Sequence, residues 1–217
     1  MSMIAVHDAS ISESTAFAER VVEEAVRQAE TQGWEAVRLT EVARSLELPM
    51  SSVLAEFRDL DAVANAWFQR GWRAMLAEKP ETFHDWSPRA RIEHCLLAWL
   101  DAFAAHRRVT VQMLRTKAHL PHLHTWVPMA FDLSRTVQWL REAAELEARY
   151  GTRRAQIEEI ALTGLFLATL AVWARDSSEG QRKTRQFLHR RLERGEAWMK
   201  WAPGESRGGK HRSAAQL

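Results

Sequence analysis

Two short helical patterns in residues 39–63 constrain the fold of this chain more than any other feature. Residues 39–46 read Leu-Thr-Glu-Val-Ala-Arg-Ser-Leu, and residues 49–57 read Pro-Met-Ser-Ser-Val-Leu-Ala-Glu-Phe. Each segment is long enough for about two turns of helix and places its apolar residues on one face. Together with the short turn between them, these segments predict a helix-turn-helix.

Hydroxyl and carboxylate side chains mark the expected starts of these helices. Thr40 is expected to cap the first short helix, and Ser51 or Ser52 the second, because their oxygens can accept a free N–H of the first turn. Asp59 begins a further helix in the same way. Upstream, a long amphipathic pattern ends at Gly33, where Trp34 is expected to pack back over the turn.

Helical periodicity accounts for most of the remaining chain. Gly is limited to 9 and Pro to 6 of the 217 residues, so there are few helix breakers, and the predicted fold class is all-α. Further breaks are expected at 119–121, 126–128 and Gly151. Helices are predicted at about 14–32, 59–77, 88–105, 109–118, 129–150, 152–176 and 179–201.

The cellular compartment is predicted from the cysteine content and from the search for a signal peptide and a membrane span in the sequence. The single cysteine, Cys95, lies in a leucine-rich helical pattern and is expected to be a packed thiol. The first ten residues have no signal-peptide pattern, and the apolar stretch 160–174 is shorter than the roughly 20 residues that a membrane span needs. We therefore expect a cytoplasmic protein without a transmembrane segment.

Charge is distributed unevenly along the chain. Residues 1–75 have seven Lys or Arg against twelve Asp or Glu, a net charge of −5, whereas residues 182–217 have ten against three, a net charge of +7. Duplex DNA affinity depends largely on neutralising phosphates, so an acidic helix-turn-helix region argues against tight DNA binding. A few well-placed cations on one face can still outweigh charge elsewhere.

The helix-turn-helix, preceded by Gln32-Gly33-Trp34, resembles the N-terminal unit of the TetR family of transcriptional regulators. The resemblance implies a tail at 1–10, a helix-turn-helix domain at 11–77 and a helical ligand-binding and dimerisation domain at 78–202. The basic tail at 203–217 has too little apolar content to fold alone, and we expect it to be disordered. The resemblance also implies a homodimer in which the last two helices of each subunit form a four-helix bundle, and an operator in double-stranded DNA as partner.

The candidate DNA-binding residues lie in or beside the two short helices. Serine can bond to bases or phosphates, and flanking arginines can reach phosphates. The family pattern Leu-Tyr-x-His-Phe, with a Lys three residues on, is replaced here by Val-Leu-Ala-Glu-Phe at 53–57 and Leu60. A helix-turn-helix that no longer binds DNA therefore stays open as an alternative. The candidates are Arg38, Thr40, Arg44, Met50, Ser51, Ser52 and Arg58.

The body supplies large apolar side chains that could line a pocket for a hydrophobic effector or simply form core. Three loop histidines, His119, His122 and His124, lack regular metal-ligand spacing, so neither a metal nor a cofactor is predicted. Nothing in the sequence matches a phosphate loop or a nucleophile motif, and an enzyme is not expected. The pocket candidates are Trp99, Phe103, Met113, Trp126, Phe131, Trp139 and Phe166.

A second branch of the same fold resembles the chain as well. It consists of non-enzymatic lipid-binding accessory proteins of ubiquinone biosynthesis, which carry a decayed helix-turn-helix. The similarity rests on the Gly33-Trp34 turn, the 121–140 region, and Asp176-Ser177 followed by Thr184 and Phe187-Leu188. This lipid or isoprenoid carrier is the alternative to a regulator.

Overall fold

The computed structural model describes residues 2–118, 123–149 and 151–201, with side chains over 13–118, 132–149 and 151–195. Within these ranges the chain contains α-helices, short 3-10 turns and no strand, which confirms the all-α prediction. The helices are α1 (Ser2–Gln32), α2 (Leu39–Ser45), α3 (Met50–Glu56), α4 (Leu60–Leu76), α5 (Pro88–Asp101), α6 (Arg107–Lys117), α7 (Leu123–Ala143), α8 (Arg153–Trp173) and α9 (Arg182–Trp201).

The headpiece is formed by α1 to α4, and its apolar side chains belong to one core that continues into the body. Gly33 ends α1 with φ 87°, a backbone conformation that glycine adopts without strain. The following 3-10 turn buries Trp34 and Val37, as predicted, and α2 and α3 add Val42 and Val53. The apolar face of α1 is therefore covered by α2 and the turn at Trp34, together with α4 and α6.

The caps of the two short helices differ from the prediction. Arg38 and Pro49, both with extended backbone, occupy the cap positions of α2 and α3, and neither contributes a side-chain cap. Thr40, Ser51 and Ser52 consequently lie inside the first turns. Pro49 has φ −60°, which suits the residue before a helix without any hydroxyl. At α4 the prediction is confirmed, since Asp59 Oδ1 accepts the Ala62 N–H at 2.8 Å.

Two helices also have different bounds from those predicted. α1 begins at Ser2, so residues 2–10 of the expected tail are helical, because neither glycine nor proline interrupts the sequence before Gly33. α7 begins at Leu123 and includes the expected break at Pro128, whose missing N–H removes a single intrahelical hydrogen bond. α7 ends at Ala143, ahead of the expected end near residue 150.

The early end of α7 has a physical cause in two buried arginines. Arg91 Nη2 donates to the Glu145 carbonyl at 3.2 Å, and Arg141 Nη2 donates to the Ala148 carbonyl at 2.8 Å. These guanidinium groups replace the hydrogen bonds that a continuing helix would have supplied to those carbonyls. The chain leaves the helix with Glu145 at φ 51°.

The body packs on α4 through a close helix crossing. A Cβ atom placed on Gly71 of α4 would lie 2.6 Å from Phe103 Cε2 and 2.7 Å from Trp99 Nε1, so only glycine fits there. Trp67 and Phe68, also on α4, pack on the Phe103 ring with centroids 5.5 and 5.9 Å apart. α4 thus connects the apolar side chains of the headpiece with those of the body in one core.

Buried hydrogen bonds fix the last two helices. Asp176 is 1% exposed and accepts from the N–H and hydroxyl of both Ser178 and Thr184, at 2.5–2.9 Å. These hydrogen bonds keep the pKa of the Asp176 carboxyl well below its ordinary value, against the effect of burial, which would raise it. Asp176 therefore sets the turn between α8 and α9.

α8 is the one helix among the described residues with the length and apolar composition of a membrane span. Core helices of soluble proteins share this length and composition, so the two features alone do not indicate a membrane span. Leu162, Phe166 and Trp173 of α8 are buried within the body.

Candidate DNA-binding and ligand sites

The helix-turn-helix presents one face to solvent. Val42, Ala43 and Val53 bury the inner faces of α2 and α3. Six of the seven predicted DNA-binding residues are exposed, namely Arg38, Thr40, Arg44, Ser51, Ser52 and Arg58, whereas Met50 is half-buried against the headpiece core. The exposed face of α3 therefore offers hydroxyl groups without a long side chain for bidentate base contacts.

The charges around this face are mixed. Arg58 pairs with Asp59 at 2.9 Å, whereas no ion pair of Arg38 or Arg44 occurs among the described side chains. Leu54, where the family commonly has Tyr, is 47% exposed. Exposed carboxylates surround the face at Glu35, Glu41, Glu47 and Glu56. Few cations are therefore present on this face.

Helix α6 joins the headpiece to the body through polar side chains that the sequence pattern did not single out. The Oε1 atom of Gln112 accepts the Trp34 N–H at 2.9 Å, directly after the turn that ends α1. Lys117 Nζ lies 2.5 Å from Asp61 Oδ1 and 2.7 Å from Asn65 Oδ1 of α4. A half-buried glutamine in an amphipathic helix gives no sequence signal for such a contact.

A second set of junction contacts lies at the start of α6. His106 Nδ1 lies 3.1 Å from Glu30 Oε1 near the end of α1, and the Trp67 indole N–H of α4 donates to Thr110 Oγ1 at 3.0 Å. Arg108 also reaches Glu30. A displacement of α6 would be transmitted to α1 and to α4 through these bonds.

The predicted pocket rings pack against one another. Trp99 contacts Phe103 and Phe166 with ring centroids 4.9 and 5.1 Å apart. Phe103 and Met113 are fully buried, and Trp99 and Phe166 nearly so. A ligand among these side chains would have to separate rings that are now in contact, and the pocket stays a prediction.

The structure describes only some of the remaining pocket and histidine candidates. Trp139 on α7 is half-buried and contacts Trp72 of α4. The side chains of Trp126, Phe131 and His124 lie outside the described residues, as do His119, His122 and the tail at 203–217. In the part of the chain whose side chains are described, no three metal-ligating residues come together. Cys95 is buried with a free thiol, as predicted.

The outer face of α8 is apolar and exposed. Ile157, Ile160 and Leu167 are 58%, 74% and 46% exposed, and Gly164 between them has no heavy atom within 4 Å of where a Cβ would stand. This apolar stripe, Ile157, Ile160, Gly164 and Leu167, is the kind of surface that a partner helix covers.

Two adjoining grooves lie between α8 and α9, nearer the C-terminal end of α8. One, about 310 Å³, is lined by Ala171, Val172, Arg175, Asp176 and Lys183. The other, about 420 Å³, is lined by Val172, Lys183, Gln186, Phe187, Arg190, Arg191 and Arg194. The charge distribution along the sequence shows that this end of the chain is basic. The sequence did not predict a site here, although positions 183, 190 and 194 share a helical face.

These features define an all-α protein with a helix-turn-helix headpiece joined to a larger helical body. Its structure is similar to that of a TetR transcriptional regulator from Nitrosomonas europaea ATCC 19718, with a TM-score of 0.74 and 40% sequence identity, over 84% of this chain and 99% of that one. The chain therefore belongs to the TetR family of transcriptional regulators.

Other comparisons delimit this assignment. A TetR transcriptional regulator from Rhodococcus sp. RHA1 shares the fold at a TM-score of 0.62 and 16% identity, over 83% of this chain and 96% of that one. The COQ9 family model matches residues 146–198, which include α8 and most of α9, and corresponds to the ubiquinone-biosynthesis branch. A search of curated proteins gave no match.

Proposed function

We propose that this regulator binds double-stranded DNA as a homodimer through α2 and α3, and that a hydrophobic effector in the body changes its DNA affinity. The exposure of Ser51 and Ser52 on α3, flanked by Arg38 and Arg44, carries the DNA proposal. Serine hydroxyls can bond to bases and the arginines to phosphates. With few cations present, we expect moderate affinity and readout that relies partly on DNA shape.

The apolar stripe on α8 supports the homodimer. Two copies of a self-complementary surface form a two-fold interface, and Gly164 allows the helix backbones to approach closely. Such a dimer would place two headpieces on half-sites about one turn of DNA apart, roughly 34 Å. We infer a cytoplasmic, non-enzymatic protein, in keeping with the regulators that share its fold.

The effector would act through α6. Gln112 of this helix contacts the turn after α1, and Lys117 contacts α4, so a ligand that repositions the helix shifts the headpieces. The ligand must bind the two arrangements with different affinity for this coupling to exist. The buried rings around Trp99 and Phe103 favour an apolar compound.

A salt titration of binding to the DNA upstream of the gene tests this function. The double variant Arg38→Ala, Arg44→Ala should bind more weakly at every salt concentration, and its salt slope should be smaller by about 0.9 for each phosphate contact removed. Arg115→Ala, Arg153→Ala, which removes the same charge from exposed positions of the body, is the matched control and should bind nearly as the wild type does. Equal binding by both variants, or none by the wild type at low salt, would refute the proposal.

The alternative function is a lipid or isoprenoid carrier. The match of the COQ9 model to residues 146–198 favours it, as does exposed Leu54 in place of the family's phosphate-contacting Tyr. A carrier should bring a bound lipid through purification and show no salt-dependent binding to upstream DNA. Mass spectrometry of an organic extract from the purified protein distinguishes the two functions.

A further inference from the structure

The outer face of α3 consists of short hydroxyl and apolar side chains. Val53 lies in the core, and the exposed residues around it are Ser51, Ser52, Leu54 and Ala55. Side chains three or four positions apart are neighbours on a helix, so Leu54 and Ala55 both adjoin Ser51. These four exposed residues therefore form one surface, which we call the α3 face.

Leu54 contributes little to the core of the protein. Its residue surface is 47% exposed, whereas Leu46 and Leu48, in the turn before α3, pack against the core. A single exposed leucine is common on a protein surface, so exposure alone assigns it no contact. Its place on the α3 face does, because the second helix of a helix-turn-helix enters the major groove of DNA.

The α3 face lacks the side chains that read purines directly. Arg, Lys, Asn and Gln make bidentate hydrogen bonds with guanine or adenine, and α3 contains none of them. The one charged residue of α3, Glu56, is an acceptor and repels phosphates. The C5 methyl of thymine is the major-groove group that an apolar side chain recognises. The composition of α3 therefore favours thymine as the base that it reads.

The cations that can hold α3 in the groove lie on α2. Arg38 and Arg44 are exposed at the two ends of α2 and form no ion pair among the described side chains. Phosphate contacts from these arginines would fix the position of the protein on the duplex but carry no sequence information. Sequence selectivity is therefore left to the α3 face.

We propose that Leu54 selects a thymine in each half-site by packing on its C5 methyl, with Ala55 beside it. This inference rests on the proposed DNA-binding function and adds the base that the protein selects. The C5 methyl lies on the side of thymine nearest its own backbone, so a side chain close to the phosphates can reach it. The Ser51 hydroxyl adjoins Leu54 and can donate to O4 of the same base. Selectivity then comes from apolar burial instead of paired hydrogen bonds.

The test compares the DNA upstream of the gene with the same DNA made with uracil in place of thymine. Uracil lacks the C5 methyl and keeps the O4 acceptor. The wild type should bind uracil DNA about tenfold more weakly, because burial of one methyl group changes affinity roughly fourfold and a dimer loses one in each half-site. Leu54→Ala should bind thymine DNA about tenfold more weakly than the wild type does, and uracil DNA less than about twofold more weakly still. Fluorescence anisotropy at low salt measures all four affinities.

Leu76→Ala is the matched control. Leu76 is equally exposed, at 47%, but it lies at the end of α4, outside the helix-turn-helix. This variant should keep the full response of about tenfold to uracil. Thermal unfolding of both variants should stay close to that of the wild type, because neither leucine belongs to the core cluster.

The possible failures separate this inference from the regulator function. Equal wild-type affinity for the two DNAs would show that no methyl group is read. A loss of about tenfold on uracil DNA in Leu54→Ala as well would show that the methyl groups act through DNA shape or through another residue. Either result overturns the role of Leu54 and leaves DNA binding in place, whereas no binding to either DNA at low salt would overturn both.

Discussion

At the scale of single residues, the carboxylate of Glu24 on α1 stands out, because it is only 8% exposed. It accepts hydrogen bonds from Arg27 Nε at 2.7 Å and Nη2 at 2.6 Å, and from Gln28 at 2.7 Å. The hydrogen bonds from Arg27 are the main reason that its pKa falls from 4.5 to about 2, against the opposing effect of burial. The ionised form therefore stabilises the fold.

This shift predicts a pH-dependent contribution to stability. The pKa of Glu24 in the folded protein is below its unfolded value, so the stabilisation is present above about pH 4.5 and is lost as the pH falls toward 2. Glu24→Gln should lower the free energy of unfolding by about 1–2 kcal/mol at pH 7, and by less at pH 3. Urea unfolding at both pH values measures this difference.

The exposed carboxylate Glu41 provides the control for that experiment. Glu41→Gln removes the same charge from the headpiece and should change stability by less than about 0.5 kcal/mol. If the two variants unfold alike at pH 7, the hydrogen bonds of Glu24 contribute nothing net to stability.

The predicted caps of α2 and α3 were wrong because more than one residue beside each helix can begin it. Thr40, Ser51 and Ser52 all have cap chemistry, yet the helices begin two or three residues earlier, where Arg38 and Pro49 adopt extended backbone. The sequence pattern cannot rank these starts, because a proline before a helix and a hydroxyl cap are both favourable. Asp59 was predictable because no rival start lies beside it.

At the scale of helices, the crossing of α4 and α5 depends on Gly71, which has no side chain. The rings of Phe103 and Trp99 occupy the space beside Gly71, at 2.6–2.7 Å from where a Cβ would stand. Rings in a filled core cannot move aside as a flexible side chain can.

Gly71→Ala should therefore destabilise the protein by about 1–3 kcal/mol, even though alanine favours helices. Gly195→Ala in α9 is the matched control, because nothing lies within 4 Å of the position that its Cβ would take, and it should be neutral or slightly stabilising. Thermal unfolding of both variants gives the comparison. A stabilised Gly71→Ala variant would mean that the two helices are not in close contact.

Helix order could be predicted because long apolar periodicity leaves few alternatives, and α4, α6 and α8 lie close to their expected ranges. The end of α7 could not be predicted in this way. Arg91 and Arg141 bind carbonyls beyond Ala143, and such contacts between distant residues leave no local pattern. The same reason hid the role of Asp176, whose partners lie in the following turn and helix.

At the scale of the whole molecule, the headpiece and the body meet at Gln112. Its side chain is the acceptor for the Trp34 N–H, and few other polar bonds join α6 to the turn after α1. Loss of this acceptor leaves a partly buried N–H without a partner, at a cost of about 1 kcal/mol.

Gln112→Ala should consequently loosen the headpiece without unfolding it. Amide hydrogen exchange of the peptide covering residues 33–38 should accelerate by about fivefold, the equivalent of about 1 kcal/mol. Gln156→Ala, at an exposed position of α8, is the control and should leave this exchange unchanged. Unchanged exchange in the Gln112 variant would show that the turn is held by Trp34 packing alone.

The candidate sites were only partly predictable at this scale. The helix-turn-helix could be located because its signature is local, and six of its seven candidate residues are exposed. The larger groove between α8 and α9 needs Val172 of α8 and Arg190 of α9 side by side, so its charges are visible in the sequence but its shape is not. The rings around Trp99 and Phe103 were candidates for a pocket, and in the structure they fill the space between the helices themselves.

The contact between Trp72 of α4 and Trp139 of α7 gives the molecule an optical label of its own. The two indoles lie 5.0 Å apart and nearly perpendicular, at 85°. The excited states of chromophores this close interact, so we expect this pair to add an exciton couplet to the circular dichroism that changes when the rings separate. Because one ring belongs to the helix that leads from the headpiece and the other to the body, the couplet would report in real time, without any added dye, whether an operator or an effector has moved one against the other.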